Sequence, residues 1–133
     1  MRKVVDSWAL MEWMQEQPAA GKVQAIFEDA AAGKLDLCMS MINVGEVFYL
    51  LYKRLGQSKA EAFLEGLPSL PLRIPVPSAD GILEAARIKA NHPISYADSF
   101  AVAAALSRTA ALVTGDPDLK ALSGVIEIDW IGD

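Results

Sequence analysis

The chain has 133 residues, 53% of them apolar, and carries a formal net charge of −5 with one cysteine and one histidine. That length suits a single domain, residues 1–133, which can bury roughly two-thirds of its unfolded surface without a disulfide or metal staple. Cys38 and His92 alone exclude a Cys/His zinc centre, which needs about four such ligands, and the acidic balance argues against binding nucleic acid through clustered cations.

KVVD (3–6) is a short apolar run ending in an acid, the pattern of a buried strand. WALMEWMQ (8–15) and residues 21–32 predict helices, the second closed by Gly33. LDLCMSM (35–41) predicts a second strand. NVGEVFYLLYKRLG (43–56) predicts a helix that stops at Gly56, with Lys53 and Arg54 in its last turn where cations suit the helix dipole. SKAEAFLEGL (58–67) predicts another helix and LRIPV (72–76) a strand in a Pro-rich connection, followed by a helix over 78–90. Ser95–Ser107 predicts a very apolar helix, AALVT (110–114) a strand, Pro117 the start of a short helix, and VIEI (125–128) the last strand. The longest apolar run, FAVAAAL, falls far short of the roughly 20 residues of a membrane span. Asp6 and Glu12 interrupt what would be the core of a signal peptide. A cytoplasmic protein without membrane association is expected.

Strands apolar on both faces, alternating with helices, predict an α/β domain whose central, mostly parallel sheet is covered on both sides. Ligands in such folds bind at the carboxyl ends of the strands. Four acids fall there. Asp6 ends the first strand, Glu46 lies in the first turn of the helix after the second, Asp98 in the first turn of the apolar helix, and Asp116 follows AALVT in TGDPDL. Taken singly, most of them fit helix caps: Ser95 with Asp98 and Asn43 with Glu46 match capping boxes, and Asp116 before Pro117 matches an N-cap. Asp6 caps nothing obvious. Two carboxylates about 4 Å apart repel by roughly 4 kcal/mol at an effective dielectric of about 20. A converging set therefore calls for protons or a hard cation such as Mg²⁺ or Mn²⁺.

KVVDSWALMEWM, INVGEVFYLL, ISYADSFAVAAAL and LVTGDPDLKAL resemble, in that order, the four acidic motifs of the PIN domain, most closely the VapC-type toxins of type II toxin–antitoxin pairs. The resemblance spans nearly the whole chain, and SYADSFAVAAA followed by VTGDP is its most specific part. It implies a three-layer α/β/α fold and a Mg²⁺- or Mn²⁺-dependent endoribonuclease. Asp6, Glu46 and Asp98 match the metal-binding acids and Asp116 the usual fourth. Thr114 matches the hydroxyl residue before that acid, and Ser7 the small polar residue after the first. Asp118 is a further acid in the same turn that also reads as a solvated first-turn residue.

An RNA substrate, a cognate antitoxin that blocks the site and a homodimer are implied in the same way. Lys53, Arg54, Arg87 and Lys89 are candidates for touching RNA, or simply cations on solvated helix faces. The rival readings are a signalling receiver domain and a PIN-like binding module without activity. A receiver wants paired acids after its first strand and a lysine ending its last, and this chain has neither.

Overall fold

Val4 and Val5, Leu37 and Cys38, and Leu112 and Val113 are all buried, so neighbouring residues on three strands point into apolar surroundings on opposite faces. That is the burial expected of a parallel sheet sandwiched between helices. The computed structural model describes all 133 residues. Strands β1 (Arg2–Val5), β2 (Asp36–Cys38), β3 (Ala111–Thr114) and β4 (Ile128–Trp130) form one sheet in the order β2-β1-β3-β4. All three pairings are parallel, with Val4 opposite Cys38 and Leu112, and Val5 opposite Val113.

Six helices complete the domain: α1 (Ser7–Met14), α2 (Ala20–Ala31), α3 (Met41–Leu55), α4 (Gln57–Gly66), α5 (Ala79–Asn91) and α6 (Tyr96–Arg108), with 3-10 turns at Leu67–Ser69 and Pro117–Leu122. One core packs Leu10, Val23, Val44, Val47 and Phe63 from α1–α4 against Val5, Leu37 and Val113. The other packs Ile88, Ala101, Val102 and Ala105 from α5 and α6 against Val4, Cys38 and Leu112. The three layers are therefore helices, sheet, helices.

The expected boundaries shift in three places. LRIPV does not form a strand. It lies along β2 through a single bridge, Arg73 to Cys38, with Arg73 N donating to Leu37 O at 3.0 Å and Met39 N to Arg73 O at 2.9 Å. Pro71, Pro75 and Pro77 lack the N–H groups that a longer ladder would need. The last strand begins at Ile128 instead of Val125, because Val125 N and Ile126 N both close back onto Leu122 O. The second strand stops at Cys38, and helix α3 starts at Met41, two residues earlier than expected. Ser40 caps it, its hydroxyl accepting from Ile42 N at 3.3 Å. Glu46 is consequently in the second turn of α3, not the first, and Asn43 is inside the helix. At the other end Gly56, with φ of +94°, breaks the backbone between α3 and α4 as expected.

Candidate active site

The chain leaves β1 towards β2 on one side, and β3 and β4 lie on the other. The carboxyl ends of β1 and β3 therefore flank the switch point of the sheet, where open α/β folds place their ligands. Asp6 follows β1 and Thr114 ends β3, side by side, with Asp6 N donating to Val113 O at 3.4 Å.

Asp6 is buried, and it does cap a helix, contrary to the sequence expectation. Helix α1 begins one residue earlier than its apolar pattern suggests, and Ala9 N donates to Asp6 Oδ1 at 2.8 Å. The other oxygen, Oδ2, accepts the hydroxyl of Thr114 at 2.5 Å. Thr114 Oγ1 in turn accepts the amide of Asp116 at 3.1 Å. Asp116 caps the 3-10 turn as expected, with Pro117 at its start and Asp118 N donating to its Oδ1 at 3.0 Å. Asp118 itself is exposed and uses its amide here, not its carboxylate.

Ser7 donates its hydroxyl to Glu46 Oε1 and so ties α1 to α3. Asp98 is buried in the first turn of α6, where Ser95 Oγ accepts its amide at 3.0 Å. The Ser95 cap is thus the expected one. The expected Asn43 cap is absent because Ser40 takes that role, and Asn43 Nδ2 instead donates to Ala97 O at 3.0 Å.

The electrostatics show that the four acids share one neighbourhood. Burial pushes the Asp6 carboxyl up to about 7, against hydrogen bonds from Thr114 and Ala9 that pull it down, with the charges of Asp98 and Asp116 adding to the rise. Burial also pushes Asp98 up to about 6, with Asp116 and Glu46 contributing and Ser95 opposing. No cation offsets this. The three ion pairs of the molecule are Lys3–Asp129, Arg73–Asp36 and Arg87–Glu84, all elsewhere.

No three of these carboxylates stand close enough to enclose an ion by themselves. The donor set nevertheless fits a hydrated hard cation. Mg²⁺ keeps several of its waters and is held through one or two carboxylates, and uncompensated buried carboxylates are the chemistry such an ion relieves. The residues that would hold it are Asp6, Glu46, Asp98 and Asp116.

The candidate cations are spread more widely. Lys53 and Arg54 are exposed in the last turn of α3, and Lys89 is exposed in the last turn of α5. Arg87 pairs with Glu84 at 3.1 Å and lines a groove of about 690 Å³ between α5, α6 and the 75–78 segment. None of the four acids lines that groove.

Two features of the site are not evident in the sequence. Asn43 reads as a cap, although its place three residues before Glu46 is a signal that it serves the same turn. Gly115 is buried under the ring of Trp8, where an added Cβ would lie 2.3 Å from the indole and 2.8 Å from Gly132 Cα. Nothing local announces that approach.

The model of the PIN domain family matches residues 3–125. The chain belongs to the PIN domain family. That sets the receiver reading aside, as does a last strand, Ile128–Trp130, without a lysine. No curated protein matches this PIN domain in sequence, but solved structures do. It is similar to a chain of DNA-bound VapBC from Salmonella typhimurium, at 18% identity and a TM-score of 0.71, covering 97% of each chain. It is also similar to VapC20 of Mycobacterium tuberculosis, a toxin that cleaves the sarcin–ricin loop, at 19% identity and a TM-score of 0.72, covering 90% of this chain and 93% of that one. VapBC-1 from nontypeable Haemophilus influenzae matches at 18% identity and a TM-score of 0.70 over 98% of each chain. At such identities the likeness establishes the PIN fold. No helix of this PIN domain is long and apolar enough to cross a membrane.

Proposed function

We propose that this PIN domain is a Mg²⁺- or Mn²⁺-dependent endoribonuclease, the toxin of a type II toxin–antitoxin pair that acts in the cytoplasm. The reading is supported by the hydrogen-bond network at the ends of β1 and β3, where Thr114 holds both Asp6 and Asp116 and Ser7 holds Glu46, with Asp98 buried in the first turn of α6 and no ion pair reaching any of the four. A bound divalent ion would supply an acidified water and stabilise charge on the scissile phosphate. The protein's own part is to hold the carboxylates in place. Thr114 orients Asp6, Ser7 orients Glu46, and the Ser95-capped N-terminus of α6 opposes the rise that burial imposes on Asp98. Asp116, tethered by its amide to Thr114, completes the site or orients the attacking water. Lys53, Arg54 and Lys89 are exposed cations that would meet the phosphates of the RNA.

A cognate antitoxin is the expected partner, since a solved neighbour of this fold is a toxin–antitoxin complex from Klebsiella pneumoniae. A homodimer is expected from the family resemblance.

The test is an RNA cleavage assay with Mg²⁺, Mn²⁺ or EDTA, run on wild type and Asp98→Asn. Metal-dependent cleavage by wild type alone supports the reading. Equal cleavage by both proteins, or an unchanged melting temperature in millimolar Mn²⁺, would leave a PIN-like binding module whose acids only cap helices.

A further inference from the structure

Asn43 is fully buried, on a stretch of α3 whose neighbour Val44 and next-turn residue Val47 are likewise fully buried in the core. An apolar side chain would suit such a position, since buried polar atoms are normally paired. Asn43 is only half paired. Its Nδ2 donates to Ala97 O at 3.0 Å, 54 residues along the chain. Its Oδ1 has no partner, and it is the one buried side-chain oxygen or nitrogen of the molecule in that condition.

The place of this bond gives it meaning. Helix α3 packs into the core on one face of the sheet and α6 into the core on the other. The Asn43–Ala97 bond is the only side-chain hydrogen bond that joins them. At its α3 end, Glu46 lies one turn further along the same helix face. At its α6 end, Ala97 immediately precedes Asp98. One amide therefore couples the turn that carries Glu46 to the turn that carries Asp98. The bond adds a directional polar tie to the direct packing of α3 against α6.

We propose that Asn43 is a positioning residue of the carboxylate site, holding Glu46 in register with Asp98 through the Ala97 carbonyl. The inference rests on the metal-dependent nuclease reading above. A polar group kept unpaired in a core opposes stability and is retained where function needs it.

The experiment compares wild type with Asn43→Leu, which keeps the branching and number of heavy atoms and removes both polar groups, and with Asn43→Ser, which is too short to reach Ala97. Three quantities are read: Mn²⁺ affinity by calorimetry without RNA, kcat and KM for RNA cleavage, and the melting temperature in EDTA. The expected result is a 10- to 100-fold loss in Mn²⁺ affinity, the range seen when groups that orient metal ligands are removed. A comparable fall in kcat is expected in both variants, with KM within about twofold. The melting temperature of Asn43→Leu in EDTA should be no lower than that of wild type, because an unpaired acceptor has gone from the core. Wild-type Mn²⁺ affinity and kcat in either variant would overturn the proposal. So would a fall in kcat that merely follows a lowered melting temperature while the folded fraction binds Mn²⁺ normally. A wild type that binds no Mn²⁺ and cleaves no RNA would instead remove the nuclease reading, and this inference with it.

Discussion

Thr114 Oγ1 stands 2.5 Å from Asp6 Oδ2 and gives it the only side-chain hydrogen bond that carboxylate receives. The same oxygen accepts the Asp116 amide, so one hydroxyl fixes two of the four acids. Thr114→Val keeps the shape and removes both bonds. It should destabilise the protein by about 1–3 kcal/mol, the cost of leaving a buried acceptor unpaired, and cleavage should fall by at least tenfold. Thr114→Ser should keep most of both. Urea unfolding at pH 8, where the ionised Asp6 most needs its donor, is the measurement.

Asp6 and Asp98 make stability depend on pH in a direction opposite to that of most salt-bridged carboxylates. Both are raised in the folded protein, to about 7 and about 6, above the ordinary value of about 4. The folded state thus holds these protons more tightly than the unfolded chain does, and stability falls as the pH climbs from about 4 through 7. The slope is at most about 1.4 kcal/mol per pH unit for each group. In EDTA the melting temperature should be higher at pH 5.5 than at pH 8. Millimolar Mn²⁺ should raise it more at pH 8, because metal competes with protons for the same oxygens. Equal metal-free melting at the two pH values would contradict the burial of these acids.

Gly115→Ala places a methyl group against the Trp8 ring and 2.8 Å from Gly132 Cα, so that both the indole and the backbone must shift to admit it. A loss of about 1–3 kcal/mol is expected from overpacking. Because Asp116 is the next residue, cleavage should fall even at temperatures where the variant is fully folded. Tryptophan emission, to which Trp8 contributes as one of three tryptophans, should shift in the folded state.

Lys53→Ala with Arg54→Ala removes two exposed charges without touching either core. Melting should be nearly unchanged. KM for RNA should rise, and the logarithmic salt dependence of binding should flatten by about 0.7 for each single-strand phosphate that is no longer neutralised. An unaltered salt slope would place the RNA path elsewhere, for example past Lys89.

The class of fold is readable because both faces of three of the four strands are apolar. VV in β1, LC in β2 and LV in β3 admit no solvent side. The strand order is not readable, since no local pattern says that β3 and not β2 carries the next strand outward. The four acids stand out by their place at element ends, and Ser95 and Asp116 as caps by their spacing. Asp6 misleads because the helix after it begins at Ser7, a residue that carries no helical pattern of its own. Asn43 misleads because two residues able to cap α3, Ser40 and Asn43, lie one turn apart. Which of them caps is decided by Ala97, from the far side of the sheet. Long-range partners of this kind leave no trace in local periodicity.

The Asp6–Thr114 bond also spans 108 residues. A ribosome that has made the first 100 residues has delivered Asp6, Glu46 and Asp98, but neither the strand that flanks Asp6 nor the hydroxyl that holds it. The arrangement around Asp6 therefore comes into being only once β3 and Thr114 have emerged. A partner that captures the folded domain would have only the interval after that point in which to act.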